Sequence, residues 1–341
     1  MQTREAAKSP GTKFWTLRDA ADAWTVEGKI ERRDVLNDYS RVRKLFGLEL
    51  VEGQDRPSGR HGLPETLKLH EFRPDHVADL IVARRTELVR GKKNSPATMN
   101  RELALLQALF EFARQSGAKL PDKPVHWKDY RCRESHGKLR YLNEGEEAQL
   151  LGAIVDVQRR DRDQAGPQAG MLQDQFDLVV FLLDTGARYD EVVSLPWASV
   201  DLDRRTAGLY RDNVDNEGAL GLTKRLHGLL EAAKPAPHPY IFPAWGRGVV
   251  VLNRPRGWST AGVQKKIDAL GFNDPVTVKR KGKVTAHTFR DTFAARQIKA
   301  GATLYELQHL LGHASPTMTQ KYAHIYEDFG RKGASRLDAL H

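Results

Sequence analysis

His287-Thr288-Phe289-Arg290, then Leu311-Gly312-His313, then Tyr322 nine residues further on, is the stretch from which the rest of this chain is read. Thr185-Gly186-Ala187-Arg188, with Glu191 three residues behind the arginine, opens the same set about a hundred residues earlier. Two arginines, two histidines and a tyrosine suit one kind of chemistry. Arginine forks bind the oxygens of a phosphate and stabilise the charge that builds during transfer. Histidines that titrate near neutrality move protons. A tyrosine hydroxyl becomes a covalent nucleophile once its proton is removed and its target is held in line. Such a set can attack a phosphodiester without a metal.

Local spacing supports a common site. His287 and Arg290 are three apart, so a helix presents both on one face and turns Phe289 and Phe293 towards a core. Gly186 halts the apolar helix Phe176–Leu183 and lets the backbone turn before Arg188. Glu191, one helical turn on, either orients that arginine or supports helix packing. Ser315-Pro316 starts a further helix, with Tyr322 nearly two turns along it and Tyr326 as a second tyrosine one turn beyond. His309 and His313 form an HxxxH pair, the spacing of a zinc site. No glutamate lies between them and Gly312 breaks the helix that would align the rings, so His309 reads as a structural residue and no metal or other cofactor is expected.

The 341-residue chain is long enough for two domains with their own cores. A 40% hydrophobic and 29% charged composition is that of an ordinary globular protein. No apolar run approaches a membrane span and the charged N-terminus lacks a secretory stretch. Cys132 is the one cysteine, which excludes an intrachain disulfide and a cysteine-based metal site, and a reducing cytoplasm is the expected setting. The net charge of +10 points to an anionic partner, and nucleic acid is the usual one. Residues 1–140 hold 28 Lys and Arg against 20 Asp and Glu, so this part carries +8 of the +10.

The N-terminal part reads as helices: Leu17, Ala20, Ala21 and Trp24 recur with helical spacing after Phe14, and Val35, Tyr39, Val42 and Phe46 do the same. Gly47–Leu67, rich in Gly, Pro and charge, reads as a loop. Arg73-Pro74 starts a helix running towards Arg90, and Ser95-Pro96 starts one that lines up Met99, Leu103, Leu106, Phe110 and Ala113 until Gly117 stops it. Arg84, Arg85, Lys92, Lys93 and Arg101 sit near these helix ends as candidate DNA contacts. A polar stretch from Pro121 ends in a basic run containing Lys138, and Asn143 with Glu146 is a helix-start signature. Two strands, roughly Thr206–Arg211 and Gly218–Thr223, form a hairpin, Tyr240–Pro243 is extended, and Ser259–Leu270 is helical.

The order and spacing of these motifs resemble the tyrosine recombinases, the phage integrase family. The likeness is dense from Tyr141 to Ala323, including Thr319 and His324 around the tyrosine, and architectural before that. It implies a mainly α fold: a helical, SAM-like core-binding domain at 14–130, a linker at 131–140, and at 141–341 an α-rich catalytic domain with a small antiparallel β-sheet and a C-terminal tail. It implies that Arg188, His287, Arg290 and His313 surround a scissile phosphate and that Tyr322 attacks it, giving a 3′-phosphotyrosyl link and a free 5′ hydroxyl. Four protomers on paired sites in double-stranded DNA would exchange strands. Integration and excision of a phage or mobile element is the expected task.

The departure lies in the hairpin. The family usually carries a lysine there that protonates the departing 5′ oxygen, and the matching position is Asn213, which cannot give up a proton. General-acid help of roughly 10²- to 10⁴-fold would be missing. Lys224, just past the second strand, is the candidate substitute, and Arg211 holds its proton too tightly. A substitute lysine, slow catalysis and a damaged protein all remain open at this point. The rival readings are a DNA-binding homologue that no longer cleaves and a type IB topoisomerase.

Overall fold

A computed structural model describes residues 13–27, 35–89, 91–134, 138–163, 169–211, 216–234, 238–246, 249–257 and 260–325, and Asp338. The chain divides into two compact units, Met1–His136 and Gly137–His341.

The first unit is built on helices α1 (Leu17–Glu27) and α2 (Val35–Leu45), a hairpin of β1 (Leu48–Val51) and β2 (Gln54–Pro57), helix α3 (Pro74–Thr86), a two-residue ladder of β3 (Leu88–Val89) and β4 (Lys92–Lys93), and helix α4 (Pro96–Gln115). Leu17, Ala20, Leu45, Leu80, Leu103, Leu106 and Leu109 form its core with Phe72 and Phe110. Ser95 caps α4 by accepting from the Thr98 amide at 3.2 Å, with Pro96 at the first helical position. The expected loop at Gly47–Leu67 is corrected here: its first half is the β1–β2 hairpin. Glu52 and Gly53 take positive φ values of 52° and 80°, the backbone that lets two residues reverse a right-twisted ribbon.

Arg84 is a second correction. It has no exposed surface, and its Nε donates to Glu102 at 2.6 Å while its Nη atoms donate to the carbonyls of His61 and Lys44. A guanidinium so enclosed ties α3, α4 and the segment after α2 together and cannot touch DNA. Arg85, Lys93 and Arg101 are exposed, and the Lys92 side chain lies outside the described residues. Within the stretch expected to be a linker, Cys132 exchanges hydrogen bonds with Asn100 of the first unit at 2.8 and 2.9 Å.

The second unit begins with α5 (Glu144–Asp163) and α6 (Ala169–Thr185), followed by α7 (Tyr189–Val193). Asn143 Oδ1 accepts from the Glu146 amide and the Glu146 carboxylate accepts from the Asn143 amide, the reciprocal cap its spacing implied. Strands β5 (Val200–Asp201), β6 (Thr206–Arg211) and β7 (Asn216–Gly221) form an antiparallel sheet in that order, with Arg211 opposite Asn216. The second strand thus starts two residues earlier than the sequence pattern suggests. After α8 (Lys224–Ala233) comes a further hairpin, β8 (Pro243–Gly246) with β9 (Val249–Pro255), which the sequence reading gave only as an extended piece. Helices α9 (Ala261–Ala269), α10 (Pro275–Lys281), α11 (Ala286–Lys299), α12 (Leu304–Leu311) and α13 (Pro316–Gln320) complete it.

The core of this unit joins α6 to the sheet and to Phe289 of α11, while Phe293, Ile298, Leu307, Leu311 and Ile325 form a second cluster. Polar ties cross between helices as well. Arg225 of α8 bonds Glu147 of α5 at 3.0 Å and also pairs with Asp184 at the end of α6, and Arg296 of α11 pairs with the same Glu147. Helix α11, the element that carries His287 and Arg290, is thereby packed on one side and ion-paired on another. Among the described residues, no helix is long and apolar enough to cross a membrane.

Candidate active site

Gly186 takes a φ of 63°, a left-handed turn that a side chain would strain, and a Cβ there would lie 2.4 Å from the Phe293 ring. That turn delivers Arg188 to the N-cap of α7. Glu191 then holds it twice: Nη1 of Arg188 donates to Oε1 at 2.7 Å, and the Arg188 amide donates to Oε2 at 2.8 Å. Of the two roles left open for Glu191, the geometry supplies the orienting one.

Arg290 lies on the buried face of α11, 3% exposed. Its Nη1 donates to the Gly186 carbonyl and its Nη2 to the Leu311 carbonyl, each at 2.6 Å. One guanidinium therefore clamps the turn before Arg188 to the end of α12. Gly312 closes α12 in the left-handed conformation with a φ of 61°, and His313 follows it. The His313 ring is buried, with Nδ1 at 2.8 Å from the Thr319 hydroxyl. Burial first, then the cations Arg290, Lys321 and Arg188, push its pKa down to about 4. His309 points elsewhere, edge-on to the Tyr305 ring at 4.4 Å.

His287, on the first turn of α11, has an open ring edge but sits among the same cations. Desolvation of its packed side, with Lys321, Arg290 and Arg188 against the opposing pull of Asp291, holds it below the usual imidazole range. Both imidazoles are thus neutral at neutral pH, each with a nitrogen able to accept a proton. That Arg188, Arg290 and Lys321 act on both rings places all five groups in one electrostatic neighbourhood.

Tyr322 is placed differently from its expected position well along a helix. Helix α13 ends at Gln320, and Tyr322 sits in the turn between it and a 3-10 segment at Ala323–Ile325. Its side chain is fully buried, and its hydroxyl donates to Oδ1 of Asp291 at 2.7 Å. Burial, the Asp291 charge and that hydrogen bond all push the phenol well above its ordinary range, only partly offset by Arg290. Asp291 and Lys321 are the residues sequence reasoning missed. Lys321 Nζ reaches Asp291 Oδ1 at 2.9 Å and His287 Nε2 at 3.5 Å. The signal for Asp291 was weak but present: it follows Arg290 directly and lies one helical turn from His287.

The sequence profile described as the phage integrase family matches residues 172–328, which contain every one of these groups. A curated relative, the tyrosine recombinase XerD of Listeria monocytogenes, is 27% identical over 241 residues, covering 69% of this chain and 74% of its own length. Residues 172–328 are a phage integrase domain. A further relative, the putative integrase of Pseudomonas phage Pf1, is 24% identical over 93% of the chain and 84% of its own length. Among solved structures, the Tn1549 transposon integrase bound to transposon right-end DNA superposes with a TM-score of 0.65 at 15% identity, covering 96% of this chain and 99% of that one. That likeness establishes a mainly helical fold with small antiparallel sheets.

Of the remaining sequence-named residues, those that the structure describes stand outside the cluster. Asn213 lies outside the described residues. Lys224 is exposed at the first position of α8, a helix that Thr223 caps, and among the described residues it makes no hydrogen bond to the cluster. Lys138 is exposed but engaged, its Nζ donating to the Arg280 carbonyl at 3.0 Å at the end of α10. Among the described residues, no group of three or more His, Cys, Asp or Glu could hold a metal ion.

Proposed function

We propose that this chain is a site-specific DNA recombinase that integrates or excises a phage or mobile element, and that Tyr322 is its nucleophile. The observation that carries the reading is the Arg290 clamp. By bonding the Gly186 and Leu311 carbonyls it brings Arg188, His313 and His287 into one cationic pocket, one residue away from the aspartate that holds Tyr322.

In this reading Arg188 and Arg290 bind the non-bridging oxygens of a backbone phosphate and stabilise the charge that develops there. The Tyr322 oxygen attacks phosphorus as the bond to the 5′ oxygen breaks, the phenol proton passes to the neutral imidazole of His287 or His313, and that imidazolium, directly or through water, returns a proton to the departing 5′ oxygen. The 3′-phosphotyrosyl bond conserves the energy of the broken one, so the hydroxyl of a partner strand can reverse the step. The partner is double-stranded DNA, two sites are paired by four protomers, and the setting is the cytoplasm, where such DNA resides. The Tn1549 integrase, a structural neighbour solved in complex with transposon right-end DNA, supports the substrate class.

Wild type, Tyr322→Phe and Asn213→Lys are incubated with duplexes from the DNA flanking the gene, with chelator present. A covalent protein–DNA adduct in wild type that is lost in Tyr322→Phe is the expected result. Binding without an adduct in wild type, restored in Asn213→Lys, would favour the second reading, a binding-only homologue whose hairpin lacks an acid.

A further inference from the structure

Tyr322 has no exposed surface. A phenol so enclosed cannot reach a backbone phosphate, and the carboxylate holding it would repel one. The residue at fault, Asp291, is itself nearly buried and gathers three groups on a single oxygen. Oδ1 accepts from the Tyr322 hydroxyl at 2.7 Å and from Lys321 Nζ at 2.9 Å, and His287 Nε2 lies 3.8 Å away. The local backbone allows release. Tyr322 stands outside α13, in a turn whose amide bonds only to Thr319, three residues back. Swinging it out rearranges a few residues rather than unwinding a long helix.

We propose that Asp291 is a positioning residue that stores Tyr322 in the DNA-free protein, and that Lys321 takes over the same carboxylate oxygen when the phenol is released. The role of the released phenol rests on Tyr322 being the strand-transfer nucleophile. Storage itself does not. A charge-assisted hydrogen bond is roughly twice as strong as a neutral one, so the carboxylate holds the phenol where an amide would hold it weakly. Lys321 shares the oxygen and so weakens the hold. Its ammonium also keeps Asp291 paired once the phenol has gone, which avoids an uncompensated buried charge. The pocket of Arg188, Arg290 and the two imidazoles can then be fully formed while the nucleophile is withheld.

Nitration of tyrosines by tetranitromethane, mapped by peptide mass spectrometry on the full chain without DNA, reads storage directly. Tyr305, 70% exposed, is the internal reference. Wild-type Tyr322 should be nitrated far more slowly than Tyr305. Asp291→Asn should raise its rate about tenfold, the effect of weakening one charge-assisted bond, and should also speed adduct formation on flanking DNA. Lys321→Met should act oppositely, deepening protection and slowing the adduct. Tyr322 nitrated as fast as Tyr305 in wild type, or an Asp291→Asn variant with Tyr322 still protected and a slower adduct, would overturn the proposal. If Asp291→Asn loosens the whole unit, Tyr141 and Tyr189 are modified too. Lys321→Met then decides, and unchanged protection with an unchanged adduct rate would overturn it. Absence of any wild-type adduct would sink the strand-transfer reading, while nitration still decides storage.

Discussion

Replacing Arg290 by lysine separates charge from geometry at the centre of the site. The guanidinium makes two hydrogen bonds to buried carbonyls, each at 2.6 Å. Bonds from a charged donor are each worth about 1.5–3 kcal/mol net, and an acceptor left unpaired in the interior loses about 1–3 kcal/mol. Lysine offers a single pointlike ammonium on a somewhat shorter side chain, so it can keep one of the two carbonyls at best. The expected loss is about 2–4 kcal/mol, within the roughly 5–15 kcal/mol of a typical domain, and the fold should survive. The loss falls on the turn before Arg188 and the turn before His313. Hydrogen exchange of the Gly186, Gly312 and His313 amides in DNA-free protein should therefore accelerate by about 30- to 1000-fold, while amides within α5 should change little. Adduct formation should fall by at least about 10², since a displacement of about 1 Å in such a site has that effect on rate. Unchanged exchange at those three amides would refute the clamp, even if activity fell through loss of a phosphate contact.

Three further outcomes follow from the same geometry. Arg84→Ala leaves Glu102 buried without its partner and should destabilise the N-terminal unit by about 3–5 kcal/mol in urea unfolding. Arg85→Ala should stay within about 0.5 kcal/mol, and equal effects would contradict the internal role of Arg84. Gly186→Ala forces a left-handed residue to carry a Cβ 2.4 Å from the Phe293 ring, so a lowered melting temperature and a lost adduct are expected. A fully active Gly186→Ala protein would mean the turn is not what positions Arg188. For His313, the folded pKa of about 4 lies below the ordinary 6.5, so the unfolded chain binds the extra proton in between. Its contribution to stability is therefore constant above about pH 6.5, falls as pH drops towards 4 and levels off below. His313→Gln should flatten that part of the melting-temperature profile, and a profile identical to wild type would argue against a buried neutral imidazole.

The motif residues were legible because their chemistry is carried by type and order, and the helix starts because caps are local: Ser95-Pro96 and Asn143 with Glu146 announce themselves within four residues. The β1–β2 hairpin was missed although Glu52-Gly53 is a turn pair, because the surrounding charge and proline suggested a loop. β8–β9 was under-read for a related reason, since its valine run at Val249–Val251 follows an irregular stretch. Arg84 was misassigned because a cation near a helix end reads the same whether it faces solvent or an acid contributed from another helix. Glu102 is eighteen residues away, and only the packing of α3 on α4 brings them together. Asp291 was passed over for the same cause at longer range: its partner Tyr322 lies thirty-one residues on.

The contrast between the arginines and the tyrosine bears on how the site could work. Arg188 is held through both its side chain and its amide by Glu191, and Arg290 through both terminal nitrogens by the backbone. Groups fixed in this way need not reorganise when charge develops on a bound phosphate, which is the condition under which they stabilise it most. Tyr322, the proposed nucleophile, is arranged on the opposite principle. It sits in a short turn, fully buried, its hydroxyl held by a carboxylate out of reach of a phosphate until it moves. A rigid receptor for the phosphate and a stored phenol make DNA binding and strand attack two separable events. An enzyme that must pair sites before breaking either needs that separation. If it holds here, Asp291→Asn should cut isolated sites that wild type binds but leaves intact, and single-site cleavage by the two proteins is the comparison that decides it.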